Sequence, residues 1–199
     1  MKKLAVAILA AGESRRMGRP KALVPFEGLT FVEHLLAATR HPRIAVVRVV
    51  LGANAESIQS ELKLDPEMVV VNREWEQGQL SSIQIAIRSL PPQETSGLLL
   101  CPVDHPLITS HLVSRLIAEF DTDRKLIVLP THQGRRGHPV IFHANLYSEL
   151  LAASANVGAR QVVWAHPDAI AEIETDEAGV ILNLNDPETM QKALDAWGK

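Results

Sequence analysis

Short apolar runs alternate with segments of helical periodicity along most of the chain. Five runs are almost entirely apolar and are bounded by polar or small residues, a pattern typical of strands buried on both faces. They span residues 3–9, 45–51, 68–71, 98–101 and 126–130. Apolar positions three or four residues apart predict helices over 30–38, 54–63, 80–90 and 109–120. This alternation predicts a three-layer α/β sandwich, in which helices cover both faces of a mostly parallel sheet.

The final third of the chain has a less regular pattern. A turn-rich stretch at 134–139 precedes an apolar run at 140–142. Helices are predicted over 147–153, 159–165 and 187–197, and short strands over 170–174 and 180–184. Two local signals support helix starts. Thr30 with Glu33 fits a capping box, and Pro187 suits a first helical position because its φ angle is fixed.

Length and composition narrow the class of protein. The chain has 199 residues without a linker-like segment, which predicts a single domain over 1–199. A net charge of −3 argues against nucleic acid as a partner. The single cysteine, Cys101, excludes an intrachain disulfide and a cysteine-based zinc cluster. The chain enters a strand at once and has no apolar run of membrane-spanning length, so we expect a cytoplasmic protein without membrane contact.

The stretch after the first strand carries the strongest chemical signal. Residues 9–21 have the sequence Leu-Ala-Ala-Gly-Glu-Ser-Arg-Arg-Met-Gly-Arg-Pro-Lys. Glycines let backbone N–H groups approach a ligand closely, and four basic residues add positive charge, so the stretch suits an anion cradle at the carboxyl edge of the sheet. Its spacing is neither a Walker A loop nor Gly-x-Gly-x-x-Gly. The alternative is a surface loop whose bases only keep the protein soluble.

The order Leu-Ala-Ala-Gly, Arg-Met-Gly and Pro-Lys within 9–21 resembles the signature loop of the sugar-nucleotide-type nucleotidyltransferases. The full form is most similar to the molybdenum cofactor cytidylyltransferase branch of the MobA-like NTP transferases. Guanylyltransferase relatives typically have Ala-Gly-Gly and lack the Pro-Lys pair. The resemblance implies a nucleotide-diphospho-sugar transferase-like fold with a Rossmann-like sheet, in which this loop wraps the triphosphate of a nucleotide.

The resemblance also implies roles for single residues of the loop. Arg16 and Lys21 would hold phosphates and, together with Asp104, are the expected catalytic residues. The nucleotide's base and ribose would meet the backbone of four residues, namely Leu9, Ala10, Ala11 and Gly12.

Asp104 follows a predicted buried strand and lies between two prolines, which fixes its carboxylate at the same sheet edge. A hard oxygen ligand there suits Mg²⁺, although an aspartate after a strand is more often a helix cap or turn residue. Residues 101–106 match a family pattern, Cys-Pro-Val-Asp-x-Pro, whose aspartate binds the metal. Asn185 stands where the family has its second metal-binding aspartate, and its amide oxygen can still act as a ligand.

Three further elements resemble parts of the family's site. Gly78, Ser81 and Ser82 match a Gly-x-x-Ser-Ser element that closes over the nucleoside; an ordinary helix cap by Ser81 or Gln79 is the compatible alternative. His138, in Gly-His-Pro, and Arg160 are expected near the acceptor. The stretch 155–160 departs from the family's Gly-Asp-x-Gly-Ala-Arg because it has Asn in place of Asp.

The resemblance implies a Mg²⁺-dependent transfer of CMP from CTP to the molybdopterin cofactor, with release of pyrophosphate. The partners would be CTP, a phosphorylated molybdopterin-type acceptor and, transiently, a molybdoenzyme or its chaperone. Two alternatives stay open: an acceptor that is a sugar or polyol phosphate, and a non-catalytic protein that binds a nucleotide or the molybdenum cofactor.

Overall fold

The computed structural model describes residues 2–122 and 124–197. The strands are β1 (Lys3–Ala10), β2 (Pro25–Phe26), β3 (Leu29–Thr30), β4 (Ile44–Leu51), β5 (Val69–Val71), β6 (Thr95–Pro102), β7 (Ile127–His132), β8 (Arg135–Arg136), β9 (Val140–His143) and β10 (Ile170–Glu174). The helices are α1 (Phe31–Ala38), α2 (Ala55–Leu62), α3 (Gln79–Arg88), α4 (Ser110–Phe120), α5 (Tyr147–Ala152), α6 (Arg160–Ala165) and α7 (Pro187–Trp197). Within these residues, none of the helices combines the length and apolar character needed to cross a membrane.

Eight strands form the main sheet, in the order β10-β7-β9-β6-β1-β4-β5, with β8 paired to β7. The β1 strand lies between β4 and β6 and is parallel to both, whereas β9 runs antiparallel to β6 and β7. Because β1, β4 and β6 are parallel neighbours, their carboxyl ends meet at one edge of the sheet. The loops that follow these strands therefore converge at this edge.

The prediction of a sandwich with helices on both faces is confirmed by the two hydrophobic cores. Side chains of a strand point alternately to the two faces, and β1 divides its residues in this way. Leu4, Val6 and Ile8 belong to the core that includes α1 and α4. Ala5 and Ala7 belong to the opposite core, which includes α3, α5 and α6.

The predicted capping box at the start of α1 is present, and α4 has a side-chain cap of its own. Thr30 and Glu33 form the predicted capping box, in which the Glu33 N–H donates to Thr30 Oγ1 at 3.3 Å and the Thr30 N–H donates to Glu33 Oε2 at 2.7 Å. Thr109 caps α4 by accepting from the Leu112 N–H. These caps satisfy N–H groups that a helix start would otherwise leave without partners.

The predicted short strand over 180–184 is wrong. Residues Ala178–Val180 form a 3₁₀ turn. The chain from Val180 to Leu184 then contacts the loop that contains His138 and the loop that contains Asp104. The Val180 carbonyl accepts from the His138 N–H at 2.9 Å, and the Leu184 N–H donates to the Asp104 carbonyl at 2.8 Å. The segment is apolar because Val180 and Leu184 are buried anchors four residues apart, so its apolar character does not come from a sheet ladder.

Candidate active site

A cleft with a volume of about 240 Å³ opens where the loops after β1 and β6 meet the start of α3. The ends of β1 and β6 are tied together by the Val103 N–H, which donates to the Leu9 carbonyl at 3.0 Å. The cleft is lined by Leu9, Ala11, Gly12, Ser14, Lys21, Trp75, Gly78, Gln79, Ser82, Pro102, Val103 and Asp104. Most of the residues that the sequence assigned to nucleotide and metal therefore surround one space.

The loop after β1 is closed by Ser14. This residue has a left-handed φ of 60°, and its hydroxyl accepts from the Lys21 N–H at 3.0 Å. The turn Arg15–Met17 lies inside the closed loop, and Arg16 is exposed on it. The bond to Ser14 fixes the backbone of Lys21, so the lysine side chain starts from a defined point at the cleft wall.

Lys21, Asp104 and Asn185, here called the lysine cluster, come together at one side of the cleft. Lys21 Nζ donates to Asn185 Oδ1 and lies 3.7 Å from Asp104 Oδ2. The Lys21 side chain is 15% exposed and that of Asp104 is 25% exposed. Burial lowers the pKa of Lys21; the Asp104 carboxylate opposes this shift and the nearby Arg16 guanidinium adds to it.

The lysine cluster has the donor chemistry of a magnesium site. A carboxylate oxygen and an amide oxygen converge on a cationic nitrogen, and Mg²⁺ prefers oxygen ligands, commonly one or two carboxylates together with substrate phosphates and waters. Within 2–122 and 124–197, no three His, Cys, Asp or Glu side chains group as a metal site. Asp104 and Asn185 offer two oxygen atoms that could hold such an ion together with phosphate and water.

One wall of the cleft is formed by Ala11 and Trp75. The β1 residues alternate up to the edge, so Ala11 lines the cleft, whereas the side chain of Ala10 lies in the opposite core. The close approach of β4 depends on Gly52, since a Cβ at this position would overlap the Ala11 carbonyl oxygen and lie 2.8 Å from Trp75 Cβ. Sequence reasoning missed Trp75, although a lone large aromatic in the polar stretch 72–79 was an available signal.

The two serines of the Gly-x-x-Ser-Ser element have different surroundings. Ser82 lines the cleft, whereas Ser81 lines a neighbouring cavity formed with 71–74. The Ser81 hydroxyl donates to the Gly78 carbonyl and accepts from Asn72 Nδ2, both at 2.8 Å. Neither Ser81 nor Gln79 is the N-cap of α3, which is Gly78. Ser81 and the buried Asn72 thus hold the loop that carries Trp75.

A second cavity, of about 390 Å³, shares Gln79 with the cleft and contains both residues expected at the acceptor, His138 and Arg160. The His138 ring lies against that of His105, with centroids 4.8 Å apart. Within the described part of the chain, neither ring's Nδ1 has a hydrogen-bond partner. Burial lowers the pKa of His138 to about 4, and His105 adds to the shift, so this wall is neutral at physiological pH.

The family model for the MobA-like NTP transferase domain matches residues 6–170. The chain belongs to this family. As a MobA-like protein it is a nucleotidyltransferase, and its mostly parallel sheet has the nucleotide-diphospho-sugar transferase fold that the sequence predicted. The family region includes the loop after β1, Asp104 and His138, whereas Asn185 lies beyond it.

Two curated relatives match nearly the whole MobA-like chain. Nicotine blue oxidoreductase of Paenarthrobacter nicotinovorans is 29% identical over 94% of each chain. Molybdenum cofactor guanylyltransferase of Shewanella piezotolerans is 27% identical over 95% of this chain and 91% of the relative. Rv0371c of Mycobacterium tuberculosis has the same fold, with a TM-score of 0.85 and 24% identity over 98% of both chains. A second structure of Rv0371c, in complex with manganese, has a TM-score of 0.81, 22% identity and coverage of 98% of this chain and 99% of that chain.

Proposed function

We propose that this MobA-like protein transfers CMP from CTP to a phosphorylated molybdopterin-type acceptor, in a Mg²⁺-dependent reaction that releases pyrophosphate. The observation that carries the proposal is the lysine cluster at the end of the glycine-containing loop. It places one cation, Lys21, and two oxygen ligands, Asp104 and Asn185, beside the cleft. Phosphoryl chemistry needs this combination of charge neutralisation and positioning more than it needs a strong base.

In the proposed reaction, an acceptor phosphate oxygen attacks the α-phosphorus of the nucleotide. A new P–O bond forms at the α-phosphorus, the bond to the β-phosphate oxygen breaks, and the electron pair leaves with pyrophosphate. Lys21 and the exposed Arg16 would neutralise the charge that grows on the leaving phosphates. A bound Mg²⁺ would supply further charge neutralisation and orient the triphosphate. Asp104 and Asn185 would hold that ion in position.

The cleft wall formed by Ala11 and Trp75 favours CTP. Ala11 lines the cleft and has a β-carbon at a position where the family's guanylyltransferases typically have glycine. With Trp75 beside it, Ala11 leaves less room for a purine base than a glycine at position 11 would. The smaller pyrimidine base therefore fits better. Ser82 Oγ accepts from Asn72 Nδ2 at 3.0 Å, so its hydroxyl can still donate to the nucleoside. Because some curated relatives are named guanylyltransferases, the preference for CTP over GTP needs to be measured by kinetics.

The second cavity suits a molybdopterin-type acceptor. Arg160 offers a charge for an acceptor phosphate, and the neutral His138 ring offers hydrogen bonding beside apolar walls formed by Leu100, Val140 and Phe142. These surroundings suit a flat, partly apolar heterocycle carrying one phosphate. A sugar or polyol phosphate stays the alternative acceptor, and a transient contact with a molybdoenzyme or its chaperone stays a prediction. Asn185, beyond the family region, joins the lysine cluster, which supports one domain over 1–199.

A redox reaction is the second candidate, because a relative named for an oxidoreductase aligns over 94% of the chain. The single cysteine, Cys101, is buried in a core, and burial raises the pKa of its thiol, so it is not a reactive group. A redox role would therefore depend on a bound redox cofactor, whose phosphates the loop after β1 could hold.

The test is a pyrophosphate-release assay with Mg²⁺, molybdopterin and each of the four nucleoside triphosphates. We expect acceptor-dependent pyrophosphate release that is fastest with CTP, and a cytidylylated acceptor by mass spectrometry. Nucleotide binding without pyrophosphate release would favour the non-catalytic alternative. A parallel assay of NAD(P)H oxidation with quinone-type dyes tests the redox candidate, and activity there alone would overturn the transferase proposal.

A further inference from the structure

We propose that Lys21 is an internal counter-cation. In the nucleotide-free protein its ammonium group occupies the divalent-cation position between Asp104 and Asn185. It leaves when a triphosphate offers it another anionic partner, or when an excess of divalent metal displaces it. This inference rests on the proposed function in one respect, that the cleft receives a triphosphate. It assigns Lys21 a second role, as a gate on metal binding, besides contact with phosphate.

The geometry places the ammonium where the ion would lie. Lys21 Nζ donates to Asn185 Oδ1 and is 3.7 Å from Asp104 Oδ2, so it contacts or faces both oxygens that would ligate a metal. A magnesium ion would need to lie about 2.0–2.1 Å from those same oxygens. The ion and the ammonium therefore compete for one position.

The charges make this competition strong. The lysine cluster contains one carboxylate and one neutral amide, enough to balance the single charge of Lys21. Asp186 is the other acidic group that acts on the lysine; it is half-buried, and its carboxylate already accepts from the Thr189 N–H at 2.8 Å. A divalent ion added beside a retained ammonium would leave excess positive charge in a partly buried site, where screening by water is reduced. Metal binding to the free protein thus requires Lys21 to move.

The loop allows the ammonium to move while its backbone stays in place. The Lys21 N–H is held by Ser14 Oγ at 3.0 Å, and the side chain already lines the cleft. A lysine carries its charge on a flexible four-carbon stem, so it can turn towards a triphosphate without a change in the loop. Nucleotide binding would then free Asp104 and Asn185 for the ion. Metal and nucleotide would each increase the other's affinity by the same factor.

The test is calorimetric titration of nucleotide-free protein with Mn²⁺ alone, for the wild type and for Lys21→Met. Loss of the competing ammonium should tighten Mn²⁺ binding about tenfold, an effect between the bulk-water and protein-surface estimates for two charges about 4 Å apart. The same variant should bind metal-free CTP, titrated in EDTA, more weakly than the wild type. A lysine that only binds phosphate predicts no gain in Mn²⁺ affinity.

Arg19→Met is the matched control. It removes one positive charge from the same loop, but Arg19 pairs with Glu61 at 3.1 Å and is 43% exposed. We expect its Mn²⁺ affinity to stay within about twofold of the wild type, because exposed charges are well screened. A tenfold gain in this control would mean that general loop charge, and not Lys21, controls metal binding.

Two further measurements complete the test. The increase in Mn²⁺ affinity should disappear in the double variant Lys21→Met/Asp104→Asn, because it depends on the Asp104 carboxylate as a ligand. In the wild type, saturating Mn²⁺ should increase acetylation of Lys21 by a lysine-specific reagent, measured by mass spectrometry, and this needs no variant to fold. Unchanged or weaker Mn²⁺ binding in a folded Lys21→Met, or unchanged acetylation, overturns the inference. Tighter Mn²⁺ binding in Lys21→Met, together with no pyrophosphate release by the wild type, would overturn the proposed function alone.

Discussion

The two cavities at the carboxyl edge of the sheet differ in how they treat charge. The cleft beside the lysine cluster contains Lys21 and Asp104, a charged pair that is partly buried and 3.7 Å apart. The adjoining second cavity has Arg160 as its charged lining residue and a wall formed by His138, which burial keeps neutral. We infer that the first cavity selects its ligand mainly by charge and the second mainly by shape and hydrogen bonding.

Among the variants of the two cavities, we expect removal of the Asp104 carboxylate to reduce activity most. In Asp104→Asn the cluster keeps its shape but loses its only carboxylate, so neither Lys21 nor a metal ion is balanced. We expect kcat to fall by about 10³-fold or more, the upper range for loss of a group that stabilises transition-state charge. Steady-state pyrophosphate release with CTP measures this. Activity close to that of the wild type would exclude Asp104 as the metal ligand.

Lys21→Ala should have the next largest effect. Loss of one contact to developing charge typically costs about 2.7–4 kcal/mol, or roughly 10²–10³ in kcat. The side chain lies at the cleft wall, outside both hydrophobic cores, so the melting temperature should change little. Thermal unfolding measured beside kcat/KM separates the two effects. A variant that unfolds, or one with unchanged kcat/KM, would contradict the assigned role.

The neutral side of the comparison can be tested by pH. The pKa of His138 is about 4 in the folded protein and near 6.5 when unfolded, so the unfolded chain binds more protons between these values. The free energy of unfolding should therefore be highest above pH 6.5 and fall, by up to about 3 kcal/mol, as pH decreases towards 4.

His138→Gln isolates this contribution, since glutamine keeps a hydrogen-bonding group but does not titrate. Urea unfolding at several pH values should show a shallower decrease for His138→Gln than for the wild type. His105, whose pKa burial also lowers, accounts for part of the remaining slope. Identical pH profiles for the two proteins would show that His138 is not buried in its neutral form.

The preference for one nucleotide base over another is expected to be the smallest effect. It tests whether shape adds to charge in the cleft beside the lysine cluster. One methyl group in a pocket typically changes discrimination by about tenfold or somewhat more. We expect CTP to be preferred over GTP by about this factor, and Ala11→Gly to reduce the preference. Values of kcat/KM for both nucleotides, in both proteins, provide the measurement. Equal or better use of GTP by the wild type would contradict the steric argument.

The sequence by itself determined the elements that depend on local chemistry. Apolar runs placed β1, β4 and β6 within a few residues, and the Thr30–Glu33 box marked the start of α1 correctly. The loop at 9–21 was identifiable because a phosphate-binding loop needs its glycines and bases close together in the chain. These features follow from neighbouring residues, so periodicity and short motifs are sufficient to find them.

Only the tertiary structure decided which distant groups meet. Lys21 and Asn185 are 164 positions apart, and their contact follows from the hydrogen bond that fixes Leu184 to the Asp104 loop. The same crossing made 180–184 a connection held by the buried Val180 and Leu184 at its two ends, although its apolar run was typical of a strand. Likewise, the sequence did not predict that Trp75 lines the cleft or that the His105 ring packs against His138. The physical reason is that such contacts depend on strand order and loop packing, which no local pattern encodes.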